Sequence, residues 1–227
     1  MTDWTTMDPR DVPTYGIADA SRYVRVPQQT VRNWVGGTSR RPLITPLASP
    51  GGSLLLSFHN LAELHVLAGF RKVYGLGPRT VRRTVEYLDR HADEPHPLTS
   101  RTFLTDGEDI FLDEARGLVN TSQGGQVAFR ELVSVYLQRV ERDAQGLAAR
   151  LFPFTRTDAD ASAPRVVVID PRISFGRPVL AGTRVPTDVL AGRWLAGDSI
   201  EDLADDFRLT TEQVQEAIRC ESVARAA

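Results

Sequence analysis

Apolar residues recur at helical spacing along much of this chain, and the places where that period breaks mark its elements. Ile17, Ala20, Tyr23 and Val24 form the first stripe, which Val26-Pro27 closes. A second helix is predicted over residues 28–35. Val31, Trp34 and Val35 fall on one of its faces, and Gln28, Gln29, Arg32 and Asn33 fall on the other. Pro27 suits its start, Gly36-Gly37 suits its end, and Trp34 is expected to fill the core. The runs Pro42 to Leu47 and Ser53 to Ser57 then flank a stretch, Ala48 to Gly52, with the composition of a hairpin tip, so a small wing is predicted. Leu61, Leu64 and Ala68 mark a third helix. Pro78 opens a fourth, with Val81, Val85 and Leu88 inward and Arg79, Arg82, Arg83 and Arg90 on the opposite face.

Beyond His91 the period changes. Thr102 to Leu104 and Ile110 to Leu112 bracket an Asp106-Gly107 turn, and Leu118-Val119 with Val127 to Phe129 bracket a glycine pair, so two hairpins are expected. Leu132, Val135, Tyr136 and Val140 give one more helical stripe, and the apolar run that ends at Phe154 reads either as a strand or as an open segment for a partner. Residues 155–164 carry no apolar period and are taken as a linker. After them come a short strand, Val166 to Ile169, and a helix from about Pro186 to Ala196. Asp198, Ser199 and Glu201 signal the start of a further helix, with Ile200, Leu203 and Phe207 inward. Thr210 and Gln213 have capping-box spacing, with Leu209 and Val214 placed as a hydrophobic staple, so a last helix begins there. The fold class is therefore mainly α with small β elements. Its parts are 1–95, a middle segment 96–154, the linker 155–164 and a C-terminal domain 165–227.

The net charge of −2 hides an asymmetry that bears on function. From Ala20 to Arg90 there are 11 Arg and Lys against Glu63, Glu86 and Asp89, an excess of 11 − 3 = 8 positive charges. Such a segment attracts a polyanion. Six carboxylates between Asp198 and Glu212 make the other end a poor phosphate binder and favour a protein partner there. Cys220 stands alone, which excludes an intrachain disulfide or a thiolate cluster and fits the cytoplasm. The N-terminus has no apolar h-region, and no stretch approaches a membrane span. No catalytic motif and no metal motif occurs: His59 and His65, six apart, do not share a helical face, and Asp106, Glu108 and Asp109 read as a turn. No cofactor, metal or enzymatic activity is expected.

Residues 15–35, Tyr15-Gly-Ile-Ala-Asp through Arg32-Asn-Trp-Val, resemble the opening of MerR-like winged helix-turn-helix domains. The likeness continues through Phe58 to Leu64 and Gly75 to Arg82. It implies that the second helix enters a major groove, where Gln and Asn can read adenine and Arg can read guanine. The DNA-binding residues this assigns are Arg22, Arg25, Gln28, Gln29, Thr30, Arg32, Asn33, Arg40 and Arg41. Asp170-Pro171, Gly176-Arg177-Pro178 and Gly182-Thr183-Arg184-Val185-Pro186 resemble the domain of unknown function 433, over nearly all of 165–222. A MerR-like head joined to such a domain resembles VapB-type antitoxins. That resemblance implies an autorepressing antitoxin whose partners are double-stranded operator DNA and a PIN-like ribonuclease toxin, acting as a homodimer. Leu151, Phe152, Phe154, Arg177 and Arg184 are candidates for partner binding. Gly182 and Thr183, with Arg184, read either as a phosphate cradle or, more simply, as a capped glycine turn. A ligand-controlled DNA-binding regulator and a purely protein-binding adaptor are the competing readings.

Overall fold

The computed structural model describes residues 6–36, 42–48, 54–72, 81–82, 85–86, 96–99, 134–156 and 162–222. The hairpins expected between 102 and 129, the wing tip and most of the fourth helix lie outside the described residues. Within them the chain is mainly helical, and each sheet has two strands.

Helix α1, Ile17–Val24, ends where Arg25 turns into the left-handed region, and α2, Gln28–Gly36, starts three residues later. Strands β1, Leu47–Ala48, and β2, Leu54–Leu55, pair antiparallel. Leu54 packs on the end of α2, where a Cβ added at Gly36 would lie 3.3 Å from Leu54 Cδ1. Helix α3, Phe58–Lys72, is buried on every side from Phe58 to Phe70, because other elements surround it. Its start is capped reciprocally: Asn60 N–H donates to Ser57 Oγ at 3.2 Å, and Ser57 N–H donates to Asn60 Oδ1 at 3.2 Å. Of the fourth helix, 81–82 and 85–86 are helical, with Val81 and Val85 buried as the stripe requires.

Residues 134–137 are helical, but Val140, expected on that stripe, opens strand β3, Val140–Arg142, which pairs antiparallel with β4, Ala148–Leu151. Pairing Val140 with Leu151 satisfies both backbones and buries both side chains, and this overrides the helical period. Leu151 then exchanges both backbone hydrogen bonds with Ile169, at 2.8 and 3.0 Å. That bridge leads into β5, Val167–Val168, and β6, Val179–Leu180. Helices α4, Thr187–Leu195, α5, Ile200–Phe207, and α6, Thr211–Ser222, complete the chain. Ser199 caps α5 by accepting from Asp202 N–H at 3.0 Å. The predicted capping box of α6 is present: Gln213 N–H donates to Thr210 Oγ1 at 3.2 Å, and Thr210 N–H to Gln213 Oε1 at 2.8 Å.

One apolar cluster runs from Tyr15 and α1 through α3 to Val214, Ala217 and Cys220 of α6. Polar ties reinforce it. Tyr15 Oη donates to the Gly176 carbonyl at 2.9 Å, and Arg22 joins α1 to Glu221 of α6 at 2.8 Å. The segment read as a linker is pinned at both ends. Thr155 Oγ1 donates to the fully buried Glu216, which also holds Arg156 and Arg219, while Arg139 donates to the Pro164 carbonyl at 3.0 Å. Burial opposes the charge on Glu216, but those three donors outweigh it and hold its carboxyl below the ordinary range.

His65 lies wholly inside, between Tyr136 and Phe154, with Nε2 3.2 Å from the Tyr136 carbonyl. Burial pushes its pKa down to about 3, with Arg139 and Lys72 adding to the effect. The unfolded chain therefore takes up a proton near pH 6.5 that the folded chain refuses. Stability due to the neutral ring is complete above that pH and falls as the pH drops towards 3. Between pH 7 and 5 this residue should cost about 2 kcal/mol. Urea unfolding at the two pH values should show a decline smaller by about that amount in His65→Phe; an unchanged decline would contradict the assignment.

Candidate nucleic-acid interface and partner surface

The outer face of α2 is built by the short turn that precedes it. Arg25 N–H bonds back to the Arg22 carbonyl at 3.3 Å, Val26 N–H to Ser21, and Thr30 and Val31 N–H to Pro27, so α2 leaves α1 at a defined angle. Val31, Trp34 and Val35 are buried, and the Trp34 carbonyl receives Leu43 and Ile44 N–H from the wing. Gln28, Gln29, Arg32 and Asn33 are consequently all exposed on the opposite side. Two hydrogen bonds one helical turn apart pre-order them: Gln29 Nε2 donates to Asn33 Oδ1 at 3.0 Å, and Arg32 Nη2 to Gln28 Oε1 at 3.3 Å. Among the described residues Arg32 meets no carboxylate. Thr30 is half-buried beside them and accepts from Arg71 Nη1 at 2.7 Å. Arg71, in the last turn of α3, thus joins this face from 41 residues away, a placement that no local pattern could signal.

Arg22 and Arg25, expected at phosphates, are engaged inside the chain instead. Arg22 is bridged by Asp19 at 2.6 Å and Glu221 at 2.8 Å, and lies over the Tyr23 ring. Arg25 Nε donates to the Phe154 carbonyl at 2.5 Å and Nη2 to that of Thr155. Both guanidinium groups are removed from the cations available to a polyanion, because half-buried charge is tolerated only where it is paired. Arg40 and Arg41 lie outside the described residues.

The candidate partner residues divide. Leu151, Phe152 and Phe154 are buried within the chain, in β4 and just after it, so they are core rather than an open recognition segment. Arg177 is exposed and bridged to Asp188, and Arg184 is exposed. Thr183 N–H is bonded to the Leu180 carbonyl at 3.0 Å, and Thr183 Oγ1 accepts from Val185 N–H at 3.1 Å, so this is the capped glycine turn rather than a phosphate cradle.

Phe175 carries no local signal of exposure in the sequence. It is 91% exposed. Ser174, Phe175 and Gly176 all have positive φ, at 49°, 56° and 77°, an arrangement that is unfavourable for a phenylalanine. The Tyr15 hydroxyl on the Gly176 carbonyl pins the turn from below. Further exposed apolar residues lie on α4, with Leu195 60% and Trp194 41% exposed. Exposed carboxylates of α5, Glu201, Asp202, Asp205 and Asp206, give the same domain a negative surface.

The family described as protein of unknown function DUF433 matches residues 167–219. Across nearly the whole chain, the sequence is 33% identical to the Mycobacterium tuberculosis protein named "Putative antitoxin VapB45", covering 92% of this chain and 93% of that one. It is 27% identical to "Uncharacterized protein Rv2308" of the same organism, covering 94% and 91%. The X-ray crystal structure of Rv2018 from M. tuberculosis superposes with a TM-score of 0.72 at 31% identity, over 92% of this chain and 98% of that one.

Proposed function

Because the chain belongs to the VapB45 family, we propose that it is a DNA-binding antitoxin, which neutralises a PIN-like ribonuclease toxin and, as a dimer, represses its own operon. The family relationship, sustained over nearly the full length of both chains, is the observation that carries the antitoxin reading. The DNA-binding half is supported by the exposed face of α2. Two helices joined by a tight turn, a β-ribbon packed on the second helix, and a row of Gln, Gln, Arg and Asn turned outward suit a MerR-like winged helix-turn-helix. One such helix reads few base pairs, so a two-fold dimer on a palindromic site is the geometry assigned. No catalytic step is assigned to this chain.

The toxin-facing surface in this reading is the turn of Phe175 with the exposed residues of α4, flanked by Arg177 and Arg184. A strained aromatic held outward is a cost to the folded chain that an interface can offset, and large aromatics are frequent binding anchors. The neighbouring carboxylates favour a basic partner. Co-expression with the protein encoded beside it should yield a stable complex with latent ribonuclease activity; a partner without such activity, or none, contradicts the antitoxin reading. Within that complex Phe175→Gly should weaken the toxin affinity by at least about 30-fold. It should leave the melting temperature unchanged or raised, because glycine relieves the positive φ. Unchanged affinity would remove Phe175 from the interface.

A further inference from the structure

We propose that Asp11, His59 and His96 form a binding site for a divalent cation of the zinc class, outside both surfaces described above. The three residues come from separate parts of the chain: the segment before α1, the first turn of α3, and the turn at 96–99. One ligand atom from each lies within 4.8 Å of the others. The Arg10 carbonyl makes that meeting possible by accepting Phe58 N–H at 3.0 Å and His59 N–H at 3.4 Å, which sets Asp11 beside the start of α3. Arg10 is itself held by Asp8 and Asp143.

The donor chemistry matches the ion. The His59 and His96 rings stack with centroids 4.4 Å apart and planes 16° from parallel, and His59 Nε2 lies 3.9 Å from Asp11 Oδ1, beyond hydrogen-bond reach. His59 is 4% exposed, and among the described residues its Nδ1 has no hydrogen-bond partner. His96 Nδ1 lies 3.1 Å from the Glu63 carboxylate. In the tautomer with Nδ1–H donating a hydrogen bond to that carboxylate, the lone pair is on Nε2, the arrangement by which metal-bound histidines are oriented. Two imidazoles and one carboxylate are a borderline donor set, suited to Zn²⁺ and unsuited to Ca²⁺ or Mg²⁺. Tetrahedral zinc spaces its ligand atoms about 3.3 Å apart, so closing the present separations of up to 4.8 Å and turning one of the two near-parallel rings completes the site and leaves a fourth position for water.

The test is titration of the chelator-treated, full-length chain with ZnCl2 by calorimetry, and with CoCl2 by visible absorption. One equivalent should bind with a dissociation constant at or below the micromolar range, and cobalt should give the intense band of a tetrahedral site. The Asp11 side chain is half-exposed, so Asp11→Asn should fold normally, and His96→Gln removes the imidazole while keeping a donor for the buried Glu63 carboxylate. Each should weaken zinc binding at least about tenfold and abolish the rise in melting temperature that zinc gives the wild type. His59→Asn should do the same. The absence of saturable binding, or binding that survives either Asp11→Asn or His96→Gln within threefold, would overturn the proposal.

Discussion

Arg32→Ala combined with Asn33→Ala is expected to abolish the preference of this chain for its operator while leaving the fold intact. Both side chains are exposed on α2 and bonded one turn away, to Gln28 and Gln29, so among the described residues their removal uncovers no core and strands no buried partner. Each well-placed side chain on a base edge contributes about 1–3 kcal/mol of discrimination, so losing two should reduce the ratio of specific to non-specific affinity at least about 30-fold. The melting temperature should hardly move, since exposed substitutions of this kind stay within about 0.5 kcal/mol. Arg22→Ala and Arg25→Ala provide the contrast. The first strands Glu221 and Asp19, the second the carbonyls of Phe154 and Thr155, so both should destabilise the fold without altering sequence preference. If the double variant still prefers the operator, α2 does not read the bases.

Gly176→Ala is expected to be among the most damaging single substitutions. Gly176 and Gly182 share a φ of 77°, so an alanine at either meets the same backbone penalty of about 1–2 kcal/mol. Their surroundings differ. At Gly182 an added Cβ meets nothing within 4 Å, whereas at Gly176 it would lie 2.4 Å from the Tyr15 hydroxyl. That hydroxyl must then leave the Gly176 carbonyl, and a buried hydrogen bond lost on both sides adds about 1–3 kcal/mol. Gly176→Ala should therefore lower stability by about 2–5 kcal/mol, roughly 5–15 °C in a chain of this size, and Gly182→Ala by about 1–2 kcal/mol. Placing Gly176→Ala in a Tyr15→Phe background should recover part of the difference. Equal losses at the two glycines would show that the bond between the start of α1 and the 174–176 turn carries no weight.

Elements whose signals are local were legible in the sequence. The capping box at Thr210 and Gln213, the buried stripe Val31, Trp34 and Val35, and the mainly α fold with small β elements all depend on residues a few positions apart. What was not legible depends on residues that meet across the chain. Arg22 and Arg25 look like free cations until Glu221 and the carbonyls of Phe154 and Thr155 are brought to them. Val140 keeps the helical period but is claimed by Leu151, and the run through Phe154 is drawn inward by pairing with Ile169. His59 and His65 do indeed point to different neighbours: His65 packs against Tyr136, whereas His59 finds in His96 and Asp11 partners that no motif spacing could announce. Phe175 was hidden for the opposite reason, since its exposure depends on a backbone conformation that phenylalanine rarely adopts.

Everything proposed for the regulatory role depends on α2 lying along a duplex. The most direct test is fluorescence anisotropy of the wild-type chain with the duplex from upstream of its own gene and with a scrambled duplex of equal composition, across 50 to 200 mM salt, a range chosen to expose counterion release. The account predicts at least about 100-fold tighter binding to the upstream duplex near physiological salt, with affinity for both falling linearly on a logarithmic scale as salt rises. Equal affinity for the two duplexes at every salt concentration would contradict it.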